Sequence, residues 1–458
     1  MNAVPLVLPL NRPQYVPSAE TLISALAWEV LEYADVRTSA GRKYQVVDRT
    51  STKTKGEETR PTGDALVKFG DALTEAGISH ELEGNVVPKA FLNSIAGVRP
   101  TRAKVQAASP MTPALALLQD TTGMTGLANP VNYAAILEAM FAMGSPSSES
   151  DGPTMASRWL SAASRRVDTD SVLARVDAAF VELYGEYRER PQVARAEVDS
   201  LRGAYPNSPF GWLHDSWVKL TSNEWVDALP PRVWIDWATT TLRMGLAFGF
   251  LWEAERYRSV LQGILSSRTL ADALDMGQPE LLPWPAAYLP PSSRSVRPAM
   301  RRRIDEGGRL RNVMARWAVV EGDPSGRGWA SNPAFLNEAK AALSESSRPS
   351  ALKNVYETVF YALVRRDQSD HYGLLVPRGT NVTLLDPGTE WVAMVAGLAA
   401  PAPGASNHVG RIVEELARLG LRPPVSELVR LLESAGLARG SADADHGVRV
   451  ASPFGEGE

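Results

Sequence analysis

Histidine, serine–lysine and carboxylate–lysine arrangements are where chemistry would show first, and each misses the spacing its chemistry needs. The five histidines, His80, His214, His371, His408 and His446, lie far apart and form no HExxH or HxH pattern that would bring two imidazoles to one metal. His214 is followed directly by Asp215, but neighbours on a helix point about 100° apart, so an interfacial histidine is the better reading than an acid/base pair. Ser350 and Lys353 match the SxxK spacing of some acyl-transfer enzymes; no SDN or KTG partner accompanies them, and Pro349 makes Ser350 a helix N-cap. Glu81 and Glu83 with Lys89 come nearest to the carboxylate–lysine set of a metal-dependent nuclease, at the wrong spacing. Gly322 to Gly328 (GDPSGRG) is glycine-rich, yet neither GxxxxGK[ST] nor GxGxxG occurs, and a surface turn is expected. Glu253 and Glu255 beside Arg256 and Arg258 read as the solvated end of a helix. The expectation is a chain with no catalytic residue, no metal ligand and no cofactor; the alternative is an enzyme whose site is divergent.

Cations are the remaining signal. Arg294, Arg297, Arg301, Arg302, Arg303, Arg309, Arg311 and Arg316 face only Asp305 and Glu306 before the chain turns apolar at Trp317. Guanidinium groups suit bidentate phosphate contacts, and each neutralised phosphate releases counterions. The run therefore fits nucleic acid or an acidic partner, or a solvated helix face that pairs with acids elsewhere in the chain. A second basic stretch, 37–61, carries Arg42, Lys43, Lys53 and Lys55 in a Thr-, Ser- and Gly-rich context and reads as a loop with the same candidate role.

Elements long enough to position such residues are available. A chain of 458 residues exceeds one ordinary core, so two or three domains are expected. Hydrophobic residues at 44% and charged residues at 22% fit a globular protein. The absence of cysteine excludes disulfides, thiolate catalysis and cysteine-based metal sites, and fits the cytoplasm. The longest apolar run, Met244 to Trp252, spans nine residues, against about 20 for a membrane-crossing helix, so no membrane association is expected. The net charge of −4 confines any nucleic-acid contact to local patches. Val4 to Leu10 reads as a buried strand.

The fold class read from periodicity is mainly α with short β-hairpins, in three parts: an α-rich 1–145, a tryptophan-rich helical 154–370, and a winged-helix-like 371–458. The Ser- and Pro-rich Gly144 to Pro153 marks the first boundary. Helices are expected at Ser18 to Tyr33, Gly63 to Ala76, Pro333 to Leu343 behind the Asn332 cap, and Ser350 to Arg365. Val172, Val176, Phe180, Leu183 and Tyr187 form an expected buried stripe. Half of the twelve tryptophans fall between Trp212 and Trp252, which marks a packing centre on a helix that starts just after Pro230 and Pro231.

From Gly373 the sequence reads as a hairpin around Arg378, Gly379 and Thr380. A helix capped by Asp386 with Pro387 at its first position follows, then helices at Asn407 to Leu419 and Val425 to Ala435, and a terminal hairpin over Leu437 to Val450. The third helix would face base edges in a DNA reader, but it presents Ser426, Glu427, Arg430, Glu433 and Ser434, and the hairpin tip carries Asp443 and Asp445. Glu427, Arg430, Glu433, Arg439 and Arg449 are accordingly candidates for docking another protein.

The Pro-opened helix with LVRLLESAGL and the acidic hairpin SADADHGVRV resemble the tails of accessory subunits in bacterial anti-phage loci, the helical G-type component of phosphorothioation-dependent DNA restriction systems in particular. The resemblance implies a subunit without its own active site, working beside an ATPase or nuclease partner on foreign DNA. The function expected is a non-enzymatic scaffold or adaptor of such a complex; the alternative is a stand-alone winged-helix DNA-binding regulator.

Overall fold

The computed structural model describes residues 5–13, 19–34, 64–78, 85–95, 108–118, 133–146, 152–191, 201–285, 289–345, 349–366, 370–379, 381–438 and 449–454. It is mainly helical, with short two-stranded sheets. Many helices begin where a side chain satisfies the first free N–H groups: Thr112, Thr154, Asp170, Ser208, Thr269 and Asn332 each accept from the turn that follows.

The first elements are α1 (Ala19–Val30), β1 (Leu31–Tyr33), α2 (Asp64–Glu75), α3 (Val86–Ser94), α4 (Pro113–Leu117), α5 (Tyr133–Gly144), α6 (Met155–Thr169), α7 (Ser171–Tyr184) and β2 (Tyr187–Glu189). The helix expected to reach Tyr33 stops at Val30, because Leu31–Tyr33 leaves it to pair antiparallel with β2, Tyr33 opposite Tyr187. The stripe expected on α7 is kept at Val176 and Phe180 and shifts only at its start, from Val172 to Leu173. Asp170 caps Val172 and Leu173, which directs Leu173, Val176 and Phe180 inward and leaves Val172 53% exposed. Tyr187 lies beyond the helix, which Gly185 ends.

Packing crosses the segment expected to divide the first two parts. Glu138 on α5 accepts from the backbone of Met155 (3.0 Å) and Ala156 (2.8 Å), so a carboxylate on one side caps the helix on the other. One apolar cluster holds residues from Leu8 to Val450 and includes members of all three expected parts.

The centre is built from α8 (Pro209–Leu220), α9 (Asn223–Ala228), α10 (Pro231–Leu265) and α11 (Leu270–Leu274). At 35 residues, α10 is about 52 Å long. Trp212, Trp217, Trp225, Trp234, Trp237 and Trp252 are all buried, as the tryptophan clustering predicts. Further on come α12 (Arg297–Val320), α13 (Pro333–Ser344) and α14 (Ser350–Leu363), which pack on α10. Gly307 lets α12 approach closely, since a Cβ there would stand 2.5 Å from the Ala254 backbone.

Residues 5–13 run through this assembly without regular secondary structure, bending at Leu6 and Val7, so the described part of the expected strand at Val4 to Leu10 is not formed. Leu6, Leu8 and Leu10 are buried while Pro9 is exposed, the alternation of a strand. Among the described residues no strand pairs with it. Its Leu8 N–H donates to the Tyr257 hydroxyl (3.0 Å) and its Leu6 N–H to the Pro324 carbonyl (2.7 Å).

The C-terminal elements are β3 (Leu375–Arg378), β4 (Val382–Leu385), α15 (Thr389–Ala399), β5 (Asn407–His408), α16 (Val409–Arg418), α17 (Val425–Ser434) and β6 (Arg449–Val450). β3 and β4 form the expected hairpin, with Arg378 opposite Val382 and Gly379 at φ 71°. The following helix starts at Thr389 with Gly388 as N-cap, later than expected, because the Asp386 N–H instead bonds the Leu374 carbonyl (3.0 Å). β6 pairs with β5, and the Ala451 N–H donates to Leu437 (2.8 Å). Lys219 on α8 donates to the Leu398 (2.7 Å) and Ala400 (2.9 Å) carbonyls at the C-terminal end of α15, and Arg418 to Asp215 (2.7 Å), which fixes this region to the centre.

Candidate functional site

The arginine run lies on α12 and the turn before it, and the fold divides it. Arg303, Arg311 and Arg316 meet acids from other helices. Arg303 Nε bonds Glu255 (2.7 Å), Arg311 stands 3.6 Å from Glu253 and donates to the Leu10 carbonyl, and Arg316 pairs with Glu338. Arg309 is half-buried. Towards the N-terminal end the environment changes. Arg297 donates to the Tyr356 hydroxyl (3.0 Å) and covers the Phe360 ring at 5.5 Å, a cation–π contact. Arg301 is 57% exposed with Asp305 at 3.7 Å, Arg302 is exposed with no ion pair among the described residues, and Arg294 is half-buried.

Glu253 and Arg256, expected at a solvated helix end, are each 1% exposed. The reason is that the 5–13 segment and α12 close over that part of α10. Glu253 accepts from Arg12 (2.6 and 3.0 Å) and from the Tyr257 hydroxyl (2.9 Å), while Arg256 donates to the Tyr205 hydroxyl (2.9 Å) and to the Leu6 carbonyl. Burial, then the Glu253 charge, pushes the Tyr257 phenol far above its ordinary range.

A second buried network joins three distant segments. Asp370, fully buried, is 3.3 Å from Arg243 and 3.1 Å from Arg366, and Arg366 reaches Glu20 at 2.6 Å. Arg243 also donates to the Ala362 (2.9 Å) and Val364 (3.1 Å) carbonyls. Burial opposes ionisation of Asp370, but Arg243 and Arg366 overcome it and hold the carboxyl well below the usual range. Nearby Asp236 moves the other way, raised by burial despite Arg232 at 2.9 Å.

The remaining sequence candidates resolve into local structure. His214 is 2% exposed, packs on Phe141 at 4.6 Å with the rings tilted by 35°, and shares a 3.0 Å hydrogen bond with Asp215. Pro349, not Ser350, caps α14, and Lys353 pairs with Glu357 (3.8 Å) instead of a serine. In the glycine-rich turn, Asp323 occupies the backbone cradle itself, accepting from the N–H groups of Ser325 and Gly328 at 2.9 Å each. A cavity of about 570 Å³ beside α6 is lined by Ser157, Ser161, Ser164, Arg165, Arg190 and Asn223. Its arginines are paired, Arg165 with Asp227 and Arg190 with Glu32. No group of three His, Asp or Glu that could hold a metal occurs among the described residues.

Of the docking candidates, Arg430 is clamped by Glu427 through two hydrogen bonds (2.9 and 2.6 Å), Glu433 is exposed, and Arg449 stands opposite His408 in β6. Arg439, Arg42, Lys43, Lys53 and Lys55 lie outside the described residues, as do the carboxylates Glu81 and Glu83 and the hairpin tip. Sequence reading missed Arg12, Glu20, Arg243 and Asp370. Arg243 carried a signal, a lone charge between Leu242 and Met244 inside an apolar helix; its partner 127 residues away carried none. No helix among the described residues is long and apolar enough to cross a membrane. Comparison with protein-family models, curated proteins and solved structures found no match.

Proposed function

We propose that the chain is a non-catalytic scaffold or adaptor subunit of a bacterial DNA-targeting defence complex, with its C-terminal elements acting as a winged-helix-like module that docks a partner protein. The module reading is supported by chain order: α15, β5, α16, α17, then a return through β6, which pairs with β5, while Leu437 meets Ala451. The observation that carries the docking role is the Glu427–Arg430 clamp. Arg430 is the only cation on α17, and its carboxylate partner on the same helix removes the charge a groove reader needs. A scaffold role is supported by the interior, where Arg243, Arg366, Glu20, Asp370, Arg12 and Glu253 are committed to one another across distant segments. Contact with nucleic acid or an acidic partner falls to the exposed arginines of α12.

A duplex-DNA titration over a range of salt tests the reading. The isolated chain is expected to show no sequence-selective binding, and Arg430→Ala to leave any duplex affinity unchanged. Tight, sequence-selective binding abolished by Arg430→Ala would instead make the chain a stand-alone DNA-binding regulator.

A further inference from the structure

We infer that the groove under residues 5–13 is a peptide-binding site which the chain's own N-terminal segment fills. A partner segment with leucines at three alternate positions and an arginine at the fourth displaces it. The groove is lined by α10, α12 and the turn at 323–328, and it holds the segment largely by its backbone. Arg256 donates to the Leu6 carbonyl, the Tyr257 hydroxyl accepts from the Leu8 N–H (3.0 Å), and Arg311 donates to the Leu10 carbonyl (3.4 Å). Bonds to the backbone give affinity for any peptide threaded there, so the choice of sequence lies with Leu6, Leu8, Leu10 and Arg12. All three leucines are buried. Gly326 makes room for the first, since a Cβ there would stand 2.6 Å from the Leu6 side chain. Arg12 supplies the charge, with two nitrogens on Glu253 (2.6 and 3.0 Å) and its guanidinium 5.6 Å from the centre of the Phe250 ring.

Two observations make the segment an occupant of the groove and not a fixed part of the core. First, the polar groups that hold it have further partners on the body. Glu253 keeps the Tyr257 hydroxyl (2.9 Å) and Arg311 (3.6 Å), and Arg256 keeps the Tyr205 hydroxyl (2.9 Å). Departure of the segment therefore leaves none of them without a partner, and an orphaned buried charge is the main penalty for breaking a buried pair. Second, the segment belongs to no helix or sheet, and its one backbone-to-backbone bond among the described residues runs from Leu6 to Pro324 (2.7 Å). Pro5, Pro9 and Pro13 already restrict it when free, so a peptide of this kind loses little freedom on binding.

The test is fluorescence anisotropy of the full-length chain with a labelled synthetic peptide of residues 4–13. Arg12→Glu in the chain loosens its own segment and leaves the groove unaltered, so the peptide should bind this variant ~30-fold or more tightly than the wild type. A peptide carrying Arg12→Glu should bind the same variant ~30-fold or more weakly than the unaltered peptide, because its glutamate faces Glu253. A melting curve confirms that the variant chain folds. Hydrogen exchange on the wild type needs no variant. The Leu6 and Leu8 amides should be protected at least ~10-fold less than those of Leu246 to Phe250 inside α10, since the segment opens while the body stays folded. A folded Arg12→Glu chain that ignores the peptide, binding indifferent to the peptide's arginine, or equal protection of the segment and α10 overturns the inference. So does a concentration-dependent wild-type dimer that free peptide dissolves, which would make a second copy the occupant.

Discussion

Replacing Asp370 by Asn tests whether the buried network holds the distant segments together. The carboxylate is fully buried between Arg243 and Arg366, and Arg243 is itself 1% exposed. Removing one partner of a buried pair strands the other charge, at a cost of about 3–5 kcal/mol. At ~2.1 cal/mol/K per residue, a chain of 458 residues melting as one unit has an unfolding entropy near 1 kcal/mol/K, so Tm should fall by about 3–5 °C. Arg243→Met alone is also costly, because the Ala362 and Val364 carbonyls lose their donor. The double variant should nevertheless lose less than the sum of the singles, by at least ~1.5 kcal/mol, since the charge stranded by each single change is then gone. The pH dependence has a definite sign. The folded carboxyl is depressed, so its contribution is present above the unfolded value of about 4 and is lost as pH falls through the lower folded value. Calorimetry at pH 7 and near pH 3 should show the gap between wild type and variant narrowing in acid. Single effects that add within about 0.5 kcal/mol, or a gap constant with pH, would refute the argument.

Asp236 should behave oppositely. Its pKa is raised by burial, so its ionised form is penalised as pH rises above the unfolded value of about 4. Asp236→Asn should raise Tm at pH 7 and have no effect near pH 3, and a loss at pH 7 would contradict the assignment. Lys219→Met removes two donors from the end of α15, a loss of about 1.5–3 kcal/mol for bonds from a charged group. Limited proteolysis should then release a C-terminal fragment faster than from wild type. Equal rates would show that Arg418 and the Gly420–Leu281 contact suffice.

How legible the molecule was depends on the range of the interactions concerned. Asn332 before Pro333, the hairpin at Gly379 and the tryptophan-rich α10 are local signals, and each appears where its chemistry put it. On α7 the expected Val176 and Phe180 are buried, while the first position of the stripe goes to Leu173 in place of Val172 beside the Asp170 cap, and Gly185 ends the helix before Tyr187. The arginine run was left between a patch for nucleic acid or an acidic partner and a helix face paired with acids elsewhere. Glu253, Glu255 and Glu338 neutralise part of it from other helices, and nothing in local composition reveals that they face it.

The segment at residues 5–13 has a consequence for biosynthesis. Its backbone partners include Tyr257 and Pro324, and Leu6 belongs to the apolar cluster that also holds Trp329 and Ala339. During translation Leu6, Leu8 and Leu10 therefore emerge long before the groove that receives them exists. With 311 residues separating Pro13 from Pro324, ribosomes adding about 5–20 residues per second leave that segment without its seat for roughly 15–60 s. A leucine-rich nascent stretch of that kind is a substrate for chaperones that hold apolar peptides. Seating of the segment against Pro324 then waits until that residue has been made, while Arg12 closes onto Glu253.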